Sequence, residues 1–155
     1  MFGRLTAVTM NLSLYAIQAV IILDTEGHRV LAKYYNPSKE FQSVKEQKAF
    51  EKGLWQKTKK PGGSRCLPTL PFINLTKPTG DIILYDSHLA VYKHSLDLIF
   101  YFIASPQENE LMLSTALNSL VEALTMLLRN SLEKRGVLEN LDLVLLCLDE
   151  TVDNG

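Results

Sequence analysis

The sequence predicts an α+β domain: a five-stranded, mainly antiparallel sheet in the order ββαβββαα, with helices on both faces. Three observations carry this prediction. Short apolar and β-branched runs are separated by turn residues at hairpin distances. An amphipathic helical stripe follows the second run, and leucines recur at helical spacing through the last third of the chain. Neighbouring runs are joined by short connections, which favours local antiparallel pairing over a doubly wound parallel sheet. At 155 residues the chain fits one domain, placed at 14–153 after a flexible lead-in over 1–13.

Each element has its own signal. Tyr15–Leu23 is a continuous apolar run, predicted as a strand covered on both faces. Asp24–Gly27 makes the turn, and Arg29–Tyr35 returns as a more polar strand nearer the sheet edge, ended by Asn36-Pro37-Ser38. A helix is predicted over Ser43–Thr58, where Ser43 caps the first turn and Glu46 completes a capping box. Its stripe is Val44, Gln47, Phe50, Leu54 and Trp55, a face that must lie on a sheet or on a partner. Lys59–Gly80 holds four of the six prolines and three glycines without any period, which predicts a long mobile loop.

Asp81–Tyr85, Leu89–His94 and Asp97–Ala104 read as a meander of three strands, with Ile99–Ile103 apolar enough to be central. Ser105-Pro106-Gln107-Glu108 carries the signature of a helix start. Leu113, Leu117, Leu120, Leu124 and Leu127 then form its inner stripe. After Gly136 a final helix is predicted, with Val137, Leu141, Leu145, Leu148 and Val152 on one face. Its middle, Leu141–Leu148, is apolar nearly all round, so a buried strand competes for that segment.

Composition excludes several functions. Apolar residues make up 46% and the net charge is −1, ordinary for a globular domain and no electrostatic footprint for nucleic acid. Basic residues do gather in Lys45–Arg65, where a solvated helix face explains them. The strongest apolar run, Ala19–Leu23, is far short of the ~18 residues of a membrane span. Arg4 followed by Leu12–Leu23 faintly imitates a signal peptide, but Gln18 interrupts it and no A-x-A-like site follows. The two cysteines lie far apart, Cys66 in a polar loop and Cys147 in an apolar helix, a usage that suits a reducing compartment. The sequons at Asn11 and Asn74 carry no meaning there.

No catalytic, cofactor-binding or metal-binding set emerges. His28, His88 and His94 fall in two turns and a strand end, none with a second ligand at metal-binding spacing. Asp86-Ser87-His88 holds triad letters in consecutive positions, which point in different directions and read better as a hairpin turn. Lys60–Arg65 is glycine-rich without phosphate-loop spacing. Asp149, Glu150 and Asp153 stand at the end of the last helix, where negative charge opposes the macrodipole.

Three segments carry a resemblance: Ser43–Lys52, Leu31–Tyr35 before it, and Glu108–Leu113 after it. Together they resemble the zeta-subunit family of coatomer, which shares the longin-like fold with clathrin-adaptor sigma subunits. Glu133–Arg135, Leu138–Asn140 and Asp149-Glu150 fit the same family, so the resemblance runs from Leu14 to about Asp153. It implies a non-enzymatic coat subunit without cofactor, paired with the N-terminal solenoid of the coatomer gamma subunit. Other coatomer subunits, and an Arf-family GTPase through the complex, are the further partners implied. The location implied is the cytosolic face of Golgi membranes and COPI vesicles, in Golgi-to-ER retrograde and intra-Golgi transport. Partner-interface candidates are Phe50, Leu54 and Trp55, with Leu143 and Leu146 on the last helix. Lys59–Gly80 is longer than its counterpart in the family, and the family generally continues past the equivalent of Asp153. A sigma-like subunit binding dileucine signals, a longin-type regulator of small GTPases and an unrecognised hydrolase are the alternatives.

Overall fold

The computed structural model describes residues 17–35, 41–59 and 81–152. The expectations for the lead-in, for the break at 36–38, for the body of the loop with Cys66, for Asn11 and Asn74, and for Asp153 lie outside the described residues. The elements are β1 (Ile17–Asp24), β2 (Arg29–Tyr34), α1 (Val44–Thr58), β3 (Asp81–Tyr85), β4 (His88–Ser95) and β5 (Leu98–Ala104). They are followed by α2 (Glu110–Leu127), α3 (Lys134–Glu139) and α4 (Leu141–Thr151).

The five strands form one sheet in the order β2-β1-β5-β4-β3, with every neighbouring pair antiparallel. β1 and β5, the two most apolar strands, pair at its centre. Strand geometry sends successive side chains to opposite faces. Val20 opposite Phe102 and Ile22 opposite Phe100 therefore join the core under α2, α3 and α4. Ala19 opposite Ile103 and Ile21 opposite Tyr101 join the core under α1. Helices cover both faces, as the α+β reading requires.

α1 begins where the sequence places it: Ser43 accepts from Lys45 N–H, and the Glu46 carboxylate reaches back to Ser43 N–H at 3.1 Å. Its inner face buries Phe50, Glu51, Leu54 and Thr58, while Val44 is exposed. Thr58 Oγ1 lies 2.6 Å from the Tyr101 hydroxyl, tying the last turn of α1 to the central strand. Burial pushes the Tyr101 phenol up to about 12. The β3–β4 hairpin turns on Asp86 and Ser87, both with positive φ, as a two-residue primed turn needs.

Four expectations need correction. His88 is not in a turn; it opens β4, is 5% exposed and packs against Phe41 and Phe50. Ser105 does not start α2: Glu108 N–H returns to Ser105 O at 3.1 Å, making a turn with Pro106 at its second position. The helix starts after Asn109, whose Oδ1 accepts from Leu111 and Met112 N–H. The final helix is two helices, because Asn140 closes α3 on Gly136 O through both its backbone and its side-chain N–H groups. Lastly, Leu127 and Leu145 face outward, with Val121 and Val144 taking the buried positions.

Candidate partner interface

The position of α3 and α4 is set by two turns at one end of the sheet. Lys134 N–H donates to Asp97 Oδ1 in the β4–β5 turn at 3.0 Å, and Lys134 Nζ donates to Asp24 Oδ2 at 2.8 Å. Asp24 Oδ1 also accepts from the N–H groups of Glu26 and His28, fixing the β1–β2 turn. Burial raises the Asp24 carboxyl, but the Lys134 hydrogen bond, that lysine's charge and the two backbone N–H bonds outweigh it and hold it below 3.8. A carboxyl depressed in the native state stabilises the fold above its unfolded-state value. That contribution fades as pH falls through the lower native value. Asp24→Asn should therefore lower the melting temperature at neutral pH, and the gap to the parent should close in acid. A gap that does not change with pH, followed by thermal melting from neutral pH down through the carboxylate range, is the contrary result.

Among the described residues, Asp24, Glu26 and His28 are the group whose donor atoms come close enough to share a cation, all within 4.8 Å. Asp24 is already engaged by Lys134 and by the turn, so the cluster reads as turn electrostatics.

The expected interface residues divide in the structure. Phe50 and Leu54 are 6% and 0% exposed and lie in the core beneath α1, so they present no surface to a partner. Trp55 is half-buried. Its ring covers Gly27, where an added Cβ would stand 2.6 Å from the indole, at a φ of +86° that suits glycine. Its Nε1 donates to Thr25 O at 3.3 Å, and Lys59 Nζ lies 4.9 Å from the ring centre. Trp55 thus clasps α1 to the β1–β2 turn. Leu143 and Leu146 are outward-facing, at 38% and 59% exposure.

Sequence reasoning missed the polar joint under α1. Glu51 is 3% exposed and accepts from Arg29 Nε at 2.8 Å, Arg29 Nη2 at 2.5 Å and the Tyr34 hydroxyl at 2.9 Å. Its position was the available signal, since it falls between Gln47, Phe50 and Leu54 on the predicted inner stripe. Burial first, then the charge and hydrogen bond of Glu51, push the Tyr34 phenol well above its ordinary value.

α4 carries three exposed leucines. Val144 and Leu148 face the core, with Leu141 and Cys147 at its edge, while Leu143, Leu145 and Leu146 point outward, and Leu138 is exposed on α3. Lys33 on β2 bonds Asp149, holding the C-terminal half of α4 to the sheet edge. Among the described residues, no helix is long and apolar enough to cross a membrane.

The sequence pattern of the clathrin adaptor complex small chain matches residues 16–155, so the chain belongs to that family. It is 39% identical over 153 residues to coatomer subunit zeta of Saccharomyces cerevisiae, spanning 94% of this chain and 72% of that protein. It is 42% identical over 149 residues to coatomer subunit zeta-1 of Bos taurus, spanning 96% and 73%. Within the family it therefore stands with the coatomer zeta subunits. A chain of the full-length AP-3 complex, from a homology model in a stretched open conformation, superposes with a TM-score of 0.61. That match covers 90% of this chain and 82% of the other at 22% identity, which speaks to the fold.

Proposed function

We propose that this chain is a non-enzymatic structural subunit of a coatomer-type vesicle coat, held in a heterodimer with the N-terminal helical solenoid of a gamma-type subunit. The similarity to coatomer zeta subunits over 96% of the chain carries the reading. In this role it reaches Golgi membranes and COPI vesicles only as part of the coat. Other coatomer subunits complete the assembly, and an Arf-family GTPase acts on it through the complex. Its work lies in Golgi-to-ER retrograde and intra-Golgi transport. The exposed leucines of α3 and α4 support a partner-bound state, because leaving such side chains in water forgoes about 25 cal/mol per Å² of apolar area.

Expression of the chain alone and together with a gamma-type N-terminal solenoid tests this. Light scattering on the purified material should give a one-to-one complex that survives gel filtration. A well-behaved monomer that ignores the solenoid would sink the reading.

A further inference from the structure

We infer that the outer face of α4 is the docking surface for a partner helix whose apolar stripe is flanked by Lys or Arg. The inference rests on the coat-subunit reading, in which the large subunit presents that helix. The geometry begins with spacing. Leu143 and Leu146 are three residues apart, so they are neighbours on one stripe of the helix surface. Both stay open to solvent while Val144 and Leu148 face the core.

The charge that α4 itself carries is of one sign. Leu141–Thr151 contains Asp142, Asp149 and Glu150 and no Lys or Arg. Asp149 and Glu150 stand in the last turn, where the macrodipole is already negative, and no basic residue offsets them within the helix. Lys33 neutralises Asp149. Among the described residues, neither Asp142 nor Glu150 forms an ion pair. The lone chain thus carries an unfavourable arrangement that a cationic partner group would relieve.

The same charge sets the choice of occupant. An anionic bilayer is repelled by the acidic rim. A second copy docking α4 on α4 brings acid against acid. An amphipathic helix with a basic flank satisfies both the leucines and the carboxylates, the helix-on-apolar-face mode of recognition. Leu111 and Met126, each 75% exposed, lie at opposite ends of α2 and form no comparable stripe.

The test uses the full chain and the purified gamma-type solenoid, with binding followed by calorimetry at rising salt. Leu143→Ser with Leu146→Ser should weaken binding at least about tenfold. Asp142→Lys with Glu150→Lys should weaken it about tenfold and flatten its salt dependence. Leu111→Ser with Met126→Ser should leave it within about twofold. Glu150→Lys removes a clash with the helix dipole, so the lone variant should melt no lower than the parent, separating lost binding from lost folding. If the parent binds the solenoid and both α4 variants bind equally well, this face is not the interface, while the coat-subunit reading stands. If the parent itself does not bind, the coat-subunit reading fails and this inference falls with it. Self-association, or sedimentation with phosphatidylserine vesicles, that the paired serine variant abolishes would overturn the inference by giving the face to a second copy or to a membrane.

Discussion

Phe102→Ala is expected to lower the thermal midpoint by about 10 °C, a large loss for one side chain. Phe102 is fully buried on β5, between Val20 on one neighbouring strand and Val91 on the other, in the core beneath α2. Truncation removes the transfer free energy of the ring and leaves a cavity that a rigid central strand cannot close. Losses of about 3–5 kcal/mol are typical of such sites. For a domain of this size each kcal/mol moves the midpoint by about 2–4 °C. Circular dichroism melting of the two proteins side by side checks it. A shift of only a degree or two would mean that β5 is not the centre of the core. Leu146→Ala, on the open face of α4, is the matched control and should move the midpoint little.

Glu51→Ala is expected to cost about 2–4 kcal/mol, because it leaves both the Arg29 guanidinium and the Tyr34 hydroxyl without their acceptor. The pair is bidentate, so Arg29→Lys should not rescue geometry and should itself destabilise. The two removals should not add. With both side chains gone no orphaned charge remains, and the double variant Arg29→Ala with Glu51→Ala should be more stable than the sum of the single losses predicts. A coupling between about 0.5 and 3 kcal/mol, read from urea unfolding of the four proteins, is the expected outcome. Simple additivity would show that the joint is solvated rather than buried.

The strands were legible because their apolar runs are short, dense and bounded by turn residues. Ile99–Ile103 announces a strand buried on both faces, and it lies in β5 at the centre of the sheet. The capping box of α1 was legible because Ser43 and Glu46 each serve only one purpose there. What failed was local ambiguity. Ser105, Pro106 and Glu108 suit a helix start and a reverse turn alike, and three residues of context cannot choose between them. Asn140 sits within a continuous helical pattern, yet its side chain competes for the carbonyl that would carry the helix on. The interface candidates failed in part for a related reason. Phe50 and Leu54 look the same in sequence whether their stripe meets the chain's own sheet or a partner. Only the third dimension shows that the sheet takes them and leaves Leu143 and Leu146 outside.

The pairing of β1 with β5 has a consequence for how the chain is made. Ile17 meets Ala104 and Asp24 meets Leu98, so the sheet's first strand has only β2 beside it until the last strand exists. At ribosomal rates of about 5–20 residues per second, that interval is on the order of ten seconds. Throughout it, a two-stranded ribbon carrying Ile21, Ile22 and Leu23 offers an open edge, and such ribbons are marginal in water on their own. Long-range closure of this kind also slows folding after release. The nascent chain, more than the finished domain, is the stage at which this protein should depend on holding chaperones. Slowing elongation after β2 should lower its soluble yield.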